Sequence, residues 1–197
     1  MRILESGRFT EESTLQMLVT SMIGFAQSED NRAVLLQWFT QGSVITQSSK
    51  QLSLTKKHNH GIVKKVYSSR TIAYEVKQEA LQKLGELDQS DMLGQTKAFC
   101  EAALPVLENK KKVWNGLFSG EYDSMSLKNI GELCAGFKQR SHLDLISELQ
   151  DEFFDKIEPV VNSKAKSVAQ NIYFYLQPNI LTADSDIFKF ENCLKRV

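Results

Sequence analysis

The sequence predicts an all-α protein, and three observations carry that expectation. Apolar residues recur three and four positions apart almost throughout the 197 residues, alternating Val/Ile/Thr runs that would mark half-buried strands are scarce, and only three prolines interrupt the pattern. With 42% hydrophobic residues, the chain is long enough to bury roughly 70% of its unfolded surface without a disulfide or a metal.

The first helix is expected from Thr10, a capping hydroxyl followed by Glu11 and Glu12 at the positive end of the dipole, with Leu15, Leu18, Val19, Met22 and Phe25 on one face. Residues 28–31 close the turn. A second, short helix carries Val34, Leu35, Trp38 and Phe39 and stops near Gly42; the polar, Ser/Gln-rich stretch 43–55 reads as either a long loop or a poorly ordered connection. Helices follow over 61–67 and over 71–84, the latter with Ile72, Val76, Ala80, Leu81 and Leu84 on one side.

Residues 88–91 supply a capped start for a helix with Met92, Ala98, Phe99 and Ala102, and Pro105 forbids its continuation. The stretch 110–118 places Val113, Trp114, Leu117 and Phe118 on one face ahead of Gly120. Ser124 opens the next helix, with Leu127, Ile130, Leu133, Cys134 and Phe137 inward. A single helix is expected over 142–157, Pro159 lying just past its stop. Asn162 caps a helix that ends before Pro178, and Thr182 or Asp184 begins the last, with Ile187, Phe188 and Leu194. About ten helices of ordinary length joined by short loops imply antiparallel neighbours. Each has one apolar stripe to bury, so the expected architecture is a single domain over 1–197, an irregular α-α superhelix of the HEAT or armadillo kind or a compact helical bundle related to it.

Composition narrows the function. Basic and acidic residues number 24 each, which removes the net attraction typical of nucleic-acid or membrane-surface binders. No stretch has the length and apolarity of a signal peptide core or a membrane span. Cys100, Cys134 and Cys193 are far apart and odd in number, which reads as reduced, buried thiols and a cytoplasmic chain.

No H-E-x-x-H zinc motif is present. His58 and His60, two apart, point about 200° away from each other on a helix; with Gly61 beside them they read as a solvated loop pair flanked by Lys56 and Lys57. His142 reads as capping or exposed. No nucleophile elbow surrounds any serine, and the ten glycines are scattered rather than gathered in a phosphate loop. Lys110, Lys111 and Lys112 read as the solvated side of a helix. Tyr173, Phe174 and Tyr175 are consecutive and fan around their helix, so they form no single stacking platform; Trp38, Phe39, Trp114 and Phe118 read as core. No catalytic, cofactor-binding or metal-ligating residue is assigned.

The order of short motifs between Arg8 and Leu194 resembles the C-terminal domain of the aminopeptidase N and puromycin-sensitive aminopeptidase family. The residues that carry the resemblance are Glu86-Leu87-Asp88-Gln89-Ser90-Asp91 with Gly94, Ala102-Ala103-Leu104-Pro105, and the stretch from Lys112 through Trp114 to Leu117-Phe118. Beyond these come Gly136-Phe137-Lys138-Gln139, Leu145, Phe153-Phe154, Val168-Ala169-Gln170, Leu176 and Pro178. Lys138 stands where that family commonly has an aromatic, and no proline follows Gln139. The resemblance implies a parent zinc metallopeptidase that releases N-terminal amino acids, its zinc held by an upstream catalytic domain. This chain would cover the active-site cavity and limit peptide access. The alternative is a stand-alone helical adaptor binding a protein or peptide partner on its concave face.

Overall fold

In the computed structural model, residues 11–45, 51–178 and 191 are described. Ten α-helices and one two-stranded sheet occur among them, so the fold is all-α as its periodicity predicts. Contacts gather into two compact units, residues 1–96 and 97–197, where the sequence alone reads as one domain.

In the first unit, α1 (Glu12–Phe25) buries Leu15, Val19 and Ile23, a stripe of spacing four. Phe25, expected on that face, is instead 83% exposed. Thr10 lies outside the described residues. Ser28, assigned above to a turn, is the N-cap of α2 (Glu29–Gln41) and accepts from the Asn31 N–H at 3.2 Å. Gly42 ends that helix at φ 71°, a left-handed conformation open to glycine.

The expected loop after Gly42 is corrected in part. Strands β1 (Ser43–Ile45) and β2 (Gln51–Ser53) pair antiparallel, with Val44 opposite Leu52 and both buried. Helix α3 (Lys56–Tyr67) then starts five residues earlier than the periodicity suggests. Its start is a capping box: Thr55 Oγ1 accepts from the His58 N–H, and His58 Nδ1 accepts from the Thr55 N–H, both at 3.3 Å. Gly61 sits inside the helix, where a Cβ would stand 3.0 Å from the Ile23 side chain, so its missing side chain admits α1. Helix α4 (Tyr74–Leu87) buries Lys77, Ala80 and Leu84 and packs on α3, which also meets α1 and α2.

Helix α5 (Asp91–Ala103) contains the division between the units and stops ahead of Pro105. In the second unit, α6 (Leu107–Ser119) ends at Gly120, φ 94°. Ser126, not Ser124, caps α7 (Leu127–Phe137), accepting from the Asn129 N–H at 3.2 Å. The single helix expected over 142–157 is two. A 3₁₀ turn (Arg140–His142) leads into α8 (Leu143–Asp151), and α9 (Phe153–Ser163) follows after a break at Glu152. There the Glu152 N–H turns back to the Leu149 carbonyl, the tighter i−3 pattern that ends a helix.

Pro159, expected beyond the stop, lies inside α9. Asn162 therefore belongs to α9, and α10 (Lys166–Leu176) begins after Ala165 without a side-chain cap. The helix expected from Thr182 or Asp184 lies, apart from helical Glu191, outside the described residues, as does Cys193. The core of this unit is aromatic. Trp114 stacks on Phe137 with centroids 5.5 Å apart and meets Phe118 at 4.7 Å, and Phe153 bridges Phe118 and Tyr173.

Candidate functional site

Among the described residues, three clusters of buried polar groups join helices, each involving at least one helix end. The first joins α3, the end of α4 and the start of α5. His60, expected in a solvated loop, is buried inside α3, as are Thr96 and Asp88. Its Nδ1 meets Thr96 Oγ1 at 2.8 Å and its Nε2 meets Asp88 Oδ2 at 2.9 Å.

A hydroxyl, an imidazole and a carboxylate in line is the order of a nucleophile, its base and the base's orienter. Here Thr96 is 0% exposed, so no substrate atom reaches its oxygen from solvent. The carboxylate also accepts from Lys56 Nζ at 2.9 Å, from Ser90 Oγ at 2.7 Å and from the Ser90 N–H at 3.3 Å. Hydrogen bonds from Ser90, Lys56 and His60 hold Asp88 far below the usual carboxylate range. What the arrangement does is fasten three helices, because each polar atom is satisfied only when all three are in place.

His58 lies buried on the same helix but has separate partners. Since Nδ1 accepts from Thr55, the proton resides on Nε2, which donates to Thr20 Oγ1 at 2.9 Å; the Thr20 hydroxyl in turn donates a hydrogen bond to the Gln16 carbonyl. Burial lowers the pKa of His58, partly opposed by the Gln16 backbone. The two histidines thus share no ligand, and no group of three His, Cys, Asp or Glu side chains able to hold a metal occurs among the described residues.

The second cluster closes the C-terminus of α3. Arg32 donates to the Ser68 carbonyl at 3.0 Å and Lys77 to the Ser69 carbonyl at 2.5 Å, placing cations at the negative end of the helix dipole. Glu29 completes it by accepting from Arg32, the Ser69 and Thr71 hydroxyls and the Arg70 N–H. Burial alone would raise the Glu29 pKa, but the hydrogen bonds from Ser69, Arg70 and Thr71 and the charge of Arg32 outweigh it and hold it at about 2.

The third cluster belongs to the second unit and corrects the reading of the lysine run. Lys111 and Lys112 are exposed, whereas Lys110 is 0% exposed. Its ammonium donates to the carbonyls of Ala102 (2.6 Å), Phe137 (3.0 Å) and Gly136 (3.3 Å), and lies 5.5 Å from the Phe137 ring centroid. Those carbonyls belong to the last turns of α5 and α7, where no further helical N–H is available. Burial pushes the Lys110 pKa down to about 7. No sequence signal separated Lys110 from its two neighbours, apart from its phase: it lies three residues before buried Val113 and four before Trp114.

The remaining candidates are placed as follows. His142, expected to be capping or exposed, is buried and makes no side-chain cap at the start of α8. Cys100 and Cys134 are buried, and burial pushes the Cys134 thiol up to about 12. Of the aromatic triplet, Tyr173 packs on Phe153, Tyr175 lies over Gly131 and Phe174 is 68% exposed. Among the described residues, no helix is long and apolar enough to cross a membrane. No protein-family model matches the chain, and no curated protein matches it.

Proposed function

We propose that this chain is the C-terminal helical domain of a zinc aminopeptidase of the aminopeptidase N type, cytoplasmic, covering the cavity of an upstream catalytic domain and limiting which peptides enter. One observation carries the reading: the residues responsible for the resemblance are those that set helix ends and crossings. Ala102 and Ala103 finish α5 before Pro105, Trp114 and Leu117 fill the core of the second unit, and Asp88 is the hub of the first cluster. Gly136 is where α7 touches the α5 backbone, since a Cβ there would stand 2.2 Å from the Phe99 carbonyl oxygen.

A likeness made of packing residues argues for a shared scaffold rather than a shared reaction. The polar groups fit that role, because all three clusters are consumed in holding helices. Apolar side chains left outside, Phe174 and Leu127 among them, offer surface for a neighbouring domain. The zinc, and the residues that bind the substrate's amino terminus, belong to the catalytic domain in this reading. The buried Cys134 thiol favours the reducing cytoplasm.

The test is to assay the product of the native gene on aminoacyl reporter substrates with and without a zinc chelator. The reading predicts release of N-terminal residues that the chelator abolishes. A native product without that activity contradicts it.

A further inference from the structure

We propose that Lys110 is a proton-operated tether: with three protons on its ammonium it holds the last turns of α5 and α7 together, and on losing one it gives up the Gly136 carbonyl and loosens the α7 end while the unit stays folded. The stoichiometry is the reason. Three carbonyl acceptors surround Nζ, and the ammonium has three N–H donors to match them. A neutral amine keeps two donors and turns a lone pair toward the third oxygen. The Gly136 carbonyl, at 3.3 Å the longest of the three contacts, is the one that yields.

The surroundings leave this group to its own proton. The Lys110 ammonium forms no ion pair with any described residue, and burial is the only resolved influence on its pKa, moving it toward neutrality. Glu101 of α5 accepts from the Tyr122 hydroxyl at 3.1 Å, Cys134 of α7 stays a neutral thiol, and Lys138 donates to the Gln177 carbonyl. Asp144 and Glu148 of α8 and Asp155 of α9 are exposed, and Lys156 pairs with Glu152 at 3.5 Å.

Release does not mean unfolding, and linkage fixes the sign. The folded pKa of Lys110 lies below the unfolded value near 10.5. Between about pH 7 and 10.5 the unfolded chain therefore holds the extra proton, and this group's contribution to stability rises with pH. Global stability and the α7 end respond in opposite directions, which separates a local tether from an ordinary buried charge.

The experiment uses the full chain, with lysine side chains labelled for NMR and amide exchange corrected for intrinsic rates. The Lys110 signal is expected to titrate near neutrality. Protection of the Phe137 and Lys138 amides should fall at least about threefold from pH 6 to pH 9, while central α6 amides hold. Lys110→Arg, charged throughout, should keep that protection within about twofold over the same range. A Lys110 that stays protonated to pH 9, or one that titrates with α7-end protection unchanged, overturns the proposal. Because both readings come from the unmodified chain, failure of the variant to fold leaves the test intact.

Discussion

Adding one methyl group at Gly136 tests how closely α5 and α7 approach. The new carbon would lie 2.2 Å from the Phe99 carbonyl oxygen and 3.0 Å from its carbon, both backbone atoms that cannot rotate aside. Gly136→Ala is expected to cost about 1–3 kcal/mol, toward the upper end, read as a lower denaturant midpoint. An unchanged midpoint would mean the two helices sit farther apart than described. Asp88→Ala should also lower the melting temperature, since it strips His60 and Lys56 of their shared acceptor. At this scale the sequence spoke unevenly. Leu15 and Val19 were legible because a periodic stripe names its own members. Burial of His60 was not, since its partners Asp88 and Thr96 lie 28 and 36 positions away. Lys110 was hidden for another reason: its acceptors are backbone carbonyls, which no side-chain pattern marks.

Helix α3 depends on its capping box, so Thr55→Ala should destabilise the chain by about 1 kcal/mol. The same box makes the helix start sensitive to acid. A proton on His58 Nδ1 would face the Thr55 N–H, donor against donor. The sign follows from the lowered pKa: the unfolded chain binds that proton more readily, so the contribution of His58 is complete above about pH 6.5 and declines as pH falls below it. Comparing the melting temperatures of the wild type and His58→Gln from pH 7.5 to 5 checks this; an identical pH slope would remove His58 from the account.

Pro159 lies inside α9 with its ring exposed, lacking the N–H that would reach Asp155. Interior proline costs about 3 kcal/mol relative to alanine, so Pro159→Ala should stabilise the chain measurably; a loss of stability would show that the proline ring packs. A proline reads as a full stop in sequence, which is why the sequence alone ends this helix ahead of Pro159. The α8–α9 break escaped notice because Leu149, Phe153 and Ile157 continue at spacing four straight across it. The small sheet escaped for lack of length: its strands have three residues each, and Val44 and Leu52 alone cannot establish a period of two.

On the scale of the whole molecule, the all-α class follows from periodicity alone, because nearly every segment must hide one stripe and short connections leave neighbouring helices to hide it. The division into two compact units has no comparable signature, as the stripe of α5 runs without a gap through residues 96 and 97. Function is read from where the polar groups go. Glu29, Asp88 and Lys110 each terminate or join helices, which supports the proposal that the chain supplies shape to a partner that performs the reaction. Hydrolysis by the purified chain, measured on aminoacyl reporters with zinc supplied, is the most direct examination of that claim. Rates equal to the buffer background, unchanged by Thr96→Val, are the predicted result; turnover above background that disappears in Thr96→Val would make the Thr96–His60–Asp88 line a working site and contradict the account.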